Sequence, residues 1–165
     1  MEERARDPRN GYLHLVLPTL LLPAVLALGP TPTDVLHAWD ERRAAAWADG
    51  DVPALRSLYT PGSAAGRRDA AMLRAWSARG LRVDGLRMQL LRVEVRVRTP
   101  QRMVVDVVDR VAGGFAVPGP VPLPRDRATA HVVTLRRIAG EWRVGAVRQP
   151  SPARMTSWTV RSRNR

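Results

Sequence analysis

The sequence predicts an α+β domain in which N-terminal helices pack on one face of an antiparallel sheet. Three observations carry this. Between Thr31 and Arg79 apolar residues recur at helical spacing, interrupted by turn residues. From Leu86 onward the pattern switches to period two. The chain then closes with Arg127–Gln149, RATAHVVTLRRIAGEWRVGAVRQ, in which two alternating runs flank an Ala139-Gly140 turn. Helices first and antiparallel strands afterwards define the class.

The helical half opens after a GPTPT linker, Gly29–Thr33. Thr31 or Thr33 offers an N-cap, and Asp34 falls in the first turn, where negative charge is favoured. The first helix runs to about Asp49. It places Val35, Leu36, Trp39, Ala46 and Trp47 toward a core and Asp40, Arg42 and Arg43 on other faces, and Gly50 ends it. Asp51 caps a short second helix that tolerates Pro53 in its first turn and carries Leu55, Leu58 and Tyr59. Ser63–Arg68 is expected as a loop. A third helix over about Arg68–Arg79 presents Met72, Leu73 and Trp76, and Gly80 stops it.

In the strand half, Leu86, Met88 and Leu90 share one parity, whereas Leu91, Val93, Val95 and Val97 share the other. A change of phase inside one apolar run predicts a bulge or sharp bend. Thr99-Pro100 makes a turn. The next strand alternates Met103, Val105 and Val107 with Val104, Asp106 and Val108. Gly113–Asp126, GGFAVPGPVPLPRD, is expected to be a loop without secondary structure. Four strands result. In the last of them Trp142, Val144 and Ala146 should face the helices, with Glu141, Arg143 and Gly145 opposite.

The chain of 165 residues holds one such domain, over 31–149, with extensions at both ends. Residues 1–10 are polar. Gly11–Gly29, GYLHLVLPTLLLPAVLALG, carries no formal charge, and as a helix it would span roughly 28 Å, close to the thickness of a bilayer core. Three readings of 11–29 follow in order of preference: a membrane anchor, an export signal cleaved near Val25-Leu26-Ala27, and an apolar segment packed on the domain. Arg4, Arg6 and Arg9 are offset by Glu2, Glu3 and Asp7, which weakens the signal reading; Pro18 and Pro23 would kink an anchor, although membrane helices tolerate proline. Residues 150–165 form a basic tail containing Trp158.

The net charge is +12, and every one of the 27 basic residues is Arg. These arginines are scattered through all segments and form no dense block, which argues for a GC-rich coding bias and against a nucleic-acid arm. There is no cysteine, so thiolate catalysis, disulfides and Cys-ligated metals are excluded. Three isolated histidines give no metal-binding spacing, and no Gly-rich phosphate loop opens a helix, so neither a metal nor another cofactor is expected.

Three stretches carry a resemblance to a known superfamily. They are the helix pair VLHAWDERRAAAWADGDVPALRSLYTPG, the bent strand around Leu90, and the closing RIAGEWRVGAVR. Over about Thr31–Gln149 the chain resembles the nuclear transport factor 2-like superfamily, also called SnoaL-like or ketosteroid-isomerase-like. That resemblance implies a cone with a pocket between a curved sheet and the helices, and it makes a homodimer through the sheet plausible. The superfamily includes isomerases, dehydratases, transport factors and noncatalytic modules, so the fold does not choose among them.

Two residues could serve as a pocket base. Family enzymes of the isomerase and dehydratase type place an acid or a histidine on a pocket-facing sheet position. Asp109 shares parity with Met103, Val105 and Val107, unlike Asp106, and is the better inward candidate; a structural pairing with Arg110 or Arg127 is its rival role. His131 sits in mid-strand and could serve as a pocket base, with a solvated or hydrogen-bonded structural role as its rival. His37 on the first helix could reach the rim. Trp39, Tyr59, Trp76 and Trp142 are candidate pocket-lining aromatics, with core packing as the alternative. The expected function is a noncatalytic, membrane-tethered or exported domain that binds a small apolar ligand or a protein partner. The alternatives are a small-molecule isomerase, dehydratase or cyclase with an Asp or His base, and a binder of anionic surfaces.

Overall fold

The computed structural model describes residues 29–125 and 127–150. Residues 11–28 of the apolar segment and residues 151–165 of the basic tail lie outside the described residues. Among the described residues, no helix is long and apolar enough to cross a membrane.

Three helices come first: α1 (Pro32–Asp49), α2 (Val52–Ser57) and α3 (Ala64–Ser77). Five strands follow: β1 (Arg82–Arg98), β2 (Arg102–Val117), β3 (Val121–Pro122), β4 (Thr129–Ile138) and β5 (Glu141–Arg148). These strands pair antiparallel with one another, in the order β1-β2-β4-β5, with β3 added to the far end of β2. The domain is therefore α+β, with its helices on one face of the sheet.

Each helix starts on a side-chain cap. Thr31 Oγ1 accepts the Asp34 amide at 3.2 Å while Asp34 Oδ2 accepts the Thr31 amide at 3.0 Å, a reciprocal capping box. Asp51 accepts the Ala54 amide, and Gly50, at φ 69°, takes the left-handed turn between α1 and α2. Ser63 accepts the Gly66 amide and starts α3 four residues earlier than the sequence suggested. The expected loop 63–68 is thus mostly helix. Gly66 looks like a breaker, but it lies inside the first turns of α3 because Tyr59 occupies the space beside it: a Cβ there would sit 2.6 Å from Tyr59 Cγ.

The long β1 strand bends as its change of phase predicts. Its register with β2 slips between Leu90 and Arg92, so Leu90 and Val93 both point at the helices across an extra residue. The segment expected as a loop from Gly113 is corrected by the structure: β2 continues through Gly113 and Gly114 to Val117, and β3 folds back on it, with Phe115 opposite Pro122. Glycine is needed here for close approach. A Cβ on Gly114, at φ 148°, would lie 3.2 Å from Leu86 Cα.

The β4–β5 hairpin turns at Ala139 (φ 49°) and Gly140 (φ 84°), two positive-φ residues as a tight hairpin requires. One expectation for β5 fails. The register slips so that Val144 faces Leu135 but Ala146 faces Thr134. The extra residue, Gly145, rotates Ala146 to the outer face and brings Val147, opposite Val133, to the inner one. Past the hairpin the chain connects back to the helices. The Thr60 amide donates to Val144 O and the Val144 amide donates to Leu58 O, both at 3.0 Å.

The core lies between α1, α3 and the inner face of the sheet. Leu55, Leu73, Val105 and Leu135 are fully buried in it. A charged cluster is buried beside them. Arg43 of α1 donates two hydrogen bonds to Asp69 of α3, at 2.7 and 2.8 Å, and the Tyr59 hydroxyl donates to the same carboxylate at 2.7 Å. The Tyr59 ring meets Trp39 edge-on at 5.4 Å. Tyr59 is held at both ends and cannot move aside for a larger neighbour.

Gly66→Ala therefore has a predictable sign. An alanine in a helix interior gains up to about 1 kcal/mol over glycine, whereas forcing a methyl into filled space costs about 1–3 kcal/mol. With Tyr59 immobile the second effect wins, and the denaturant midpoint of Gly66→Ala is expected to fall. A midpoint equal to or above the parent's would show that the Tyr59 ring yields.

Candidate functional site: the cavity between α1 and the sheet

Between α1 and the inner face of the sheet lies a cavity of about 280 Å³. Leu36, Trp39, Asp40 and Arg43 of α1 line one side, and Tyr59 closes one end. The sheet contributes Met88 and Leu90 from β1, Val107, Asp109 and Val111 from β2, His131 and Val133 from β4, and Val144 and Val147 from β5. Most of the wall is hydrocarbon, and the polar groups come from few positions, as in ligand pockets generally.

The structure brings Asp109 and His131 together. Val107 pairs with His131 and Asp109 with Thr129, so Asp109 and His131 are diagonal neighbours on one face of adjacent strands. His131 Nε2 lies 3.2 Å from Asp109 Oδ1, within ion-pair distance. The rival pairing of Asp109 with Arg110 does not form, because Arg110 Nε donates to Gln89 at 2.8 Å. Asp106 points to the opposite face. It is buried there under Arg96, whose Nε donates to it at 2.6 Å, and that bond raises the guanidinium's proton affinity.

Asp40 is the residue that sequence reasoning assigned elsewhere. Leu36, Asp40, Arg43 and Trp47 follow one another at steps of four, three and four, which is one stripe of a helix. The stripe was readable, but its two charged members suggested a solvent face. Asp40 lines the cavity, and Arg43 lines it beside a buried salt bridge. Burial pushes the Asp40 carboxyl up from 3.8 to about 7; the Arg43 charge opposes that rise and the Asp109 charge adds to it. The Arg43–Asp69 pair behaves differently. Burial works against both charges, but the paired hydrogen bonds outweigh it, raising the proton affinity of Arg43 and lowering that of Asp69. Burial and the adjacent Asp69 raise the Tyr59 phenol well above its ordinary value, so it stays a neutral donor. The Trp47 indole N–H is buried without a well-directed partner, although it lies close enough to Asp69 to favour the carboxylate.

The candidate aromatics divide. Trp39 and Tyr59 line the cavity, and Trp39 Nε1 donates to Leu58 O at 3.0 Å. Trp76 and Trp142 are not on the cavity wall. Trp76 packs edge-on against Trp47 at 5.9 Å, behind α1, and Trp142 is half-buried at the turn end of the hairpin, beyond the cavity. His37 is exposed on α1. Among the described residues, no three His, Asp or Glu side chains gather closely enough to hold a metal ion. A separate open hollow of about 300 Å³ beside Tyr59 is lined by Arg56, Arg67 and Arg143; Arg67 donates to Gly62 O at 2.6 Å.

No family model matches the chain, and no curated protein matches it in sequence. Solved structures do. The protein Aln2 from a Streptomyces species superposes with a TM-score of 0.51 at 14% identity, over 81% of this chain and 98% of that one. The two share a fold. An NTF-2 like protein of unknown function from Shewanella oneidensis gives a TM-score of 0.46 at 13% identity, over 71% of this chain and 97% of that one. A Caulobacter vibrioides protein with a cystatin-like fold gives 0.44 at 15% identity, over 78% and 96%. At such identities the likeness is one of fold, and the chemistry of the cavity must be argued from its own side chains.

The Asp40 carboxyl makes a pH prediction. Between about 3.8 and about 7 the folded chain keeps a proton on Asp40 that the unfolded chain has released. Stability contributed by this residue therefore falls as pH rises through that window, and the penalty is complete above about 7. Asp40→Asn should match the parent in denaturant midpoint below 3.8 and exceed it above 7. A constant difference at both ends would show that Asp40 is not desolvated.

Proposed function

We propose that the domain is a receptor for a small, mainly apolar molecule, which occupies the cavity between α1 and the sheet. The supporting observation is the cavity itself. Its wall is mostly hydrocarbon from α1 and four strands, while Asp40, Arg43, Tyr59, Asp109 and His131 form its polar positions. Such a site gains affinity from apolar burial and selectivity from a few polar contacts. Met88→Trp should fill part of the space at a half-buried position and abolish ligand-induced changes in tryptophan fluorescence, with the far-UV circular dichroism unaltered. Ligand response retained in Met88→Trp would place binding elsewhere.

A second reading is proton transfer on the bound molecule, in the manner of an isomerase or dehydratase. The Asp109–His131 contact favours it, because a carboxylate can orient an imidazole as a base. The base would take a proton from carbon, and Asp40, titrating near 7, could return one to carbon or to a leaving oxygen. Under this reading Asp109→Asn and His131→Ala lower turnover by about 10²-fold or more while the protein stays folded. Turnover unaffected in both variants removes the base.

The hydropathy of 11–29 supports tethering of this receptor to a membrane, with export as the rival. Cell fractionation with N-terminal sequencing decides between them. Intact Met1 in the membrane fraction fits an anchor and a shortened chain fits a signal. Intact Met1 in the soluble fraction overturns both.

A further inference from the structure

The charges facing the cavity are unevenly committed. On α1 they are Asp40 and Arg43; on the segment between α2 and α3, Tyr59; on β2, Asp109; on β4, His131. The cavity residues of β1 and β5 are all apolar. Arg43 is bound twice by Asp69, and the Tyr59 hydroxyl is spent on the same carboxylate. What remains is the Asp40 carboxyl, and the Asp109 carboxylate with His131 Nε2 3.2 Å away. In a chain with 27 basic and 15 acidic residues, the available polar surface of the apolar cavity is acidic.

We propose that the cavity selects an organic cation, a protonated amine on an apolar body, with its charge between Asp40 and Asp109 and its hydrocarbon against Trp39, Met88 and Val147. The proposal rests on the receptor reading above and names the ligand class for that same cavity. The largely apolar cavity makes the site, and the carboxyl groups choose the ligand. A neutral apolar molecule would add nothing to offset the burial of the Asp40 carboxyl, and an anion would meet repulsion from the negative charge of Asp109 and of ionised Asp40. A metal ion lacks a close ligand set among the described residues.

The arrangement also links binding to protons. Burial, with the Asp109 charge adding to it, keeps a proton on Asp40 near neutrality. A cation seated between them reverses that preference, and Asp40 releases its proton on binding. Affinity for the amine should rise with pH through about 7 and fall again when the amine itself loses its proton.

The experiment titrates the full-length chain with three probes of one shape: benzylamine, benzyl alcohol and benzoate. Calorimetry is run in buffers of different ionisation enthalpy. Benzylamine is expected to bind about tenfold or more tightly than benzyl alcohol, with benzoate weakest, the difference expected of one charge-assisted contact. Only benzylamine should release protons near neutral pH, and Asp40→Asn should remove that release together with most of the preference. Benzyl alcohol or benzoate binding as tightly as benzylamine overturns the cation proposal and leaves the receptor reading standing. Amine binding without proton release, or with the release retained in Asp40→Asn, also overturns it. Absence of binding by all three probes overturns the receptor reading itself, and the proposal with it.

Discussion

The buried contact between Arg43 and Asp69 holds the helical layer in place. It joins α1 to α3 by two hydrogen bonds and, through the Tyr59 hydroxyl, fixes the connection between α2 and α3. Arg43 also lies 6.0 Å from the Trp39 ring centre and 5.8 Å from that of Trp47, so its charge sits among aromatic rings as well as on a carboxylate. Removing one member of such a pair leaves the other buried and unmatched, which costs more than the pair contributes to stability. The cluster therefore acts chiefly as a constraint on geometry. It sets the roll of α1 about its axis, and that roll presents Leu36, Trp39 and Asp40 to the sheet.

The same arginine also lies on the cavity wall, beside Asp40. Its charge only partly offsets the rise in the Asp40 carboxyl, and burial wins.

Much of the fold was legible because its signals are local. Thr31, Asp51 and Gly50 do what their side chains and backbone freedom dictate, and the Ala139-Gly140 turn fixes the hairpin. The phase change at Leu90–Leu91 identified the bend because a bulge must shift parity. The misreadings arose where a glycine answered to a distant neighbour. Gly66 makes room for Tyr59, Gly114 for Leu86, and Gly145 carries the extra residue in β5. None of those partners is visible in a window of sequence. The site was half legible. The inward parity of Asp109 followed from the strand pattern, and the diagonal meeting with His131 needed the register of β2 against β4. Asp40 lay on a readable stripe, but a charged residue on a helix is ordinarily solvated, and only the cavity reveals otherwise. Trp76 and Trp142 show the converse: large aromatics at the right spacing that pack away from the cavity.

The two hydrogen bonds between Val144 and the Leu58–Thr60 segment have a consequence for how copies of the chain meet. A strand at the border of a sheet exposes unpaired amides and carbonyls that can recruit another chain. On β5 part of that border is already occupied by the protein's own backbone. The opposite border, β1, is bent by several register slips and carries Arg82, Arg87, Arg92, Arg96 and Arg98 along its length. Curvature and the charged side chains along that border oppose the flat, in-register addition of a second strand. The architecture thus resists growth by strand addition at both borders, by backbone occupancy at one and by curvature and charge at the other.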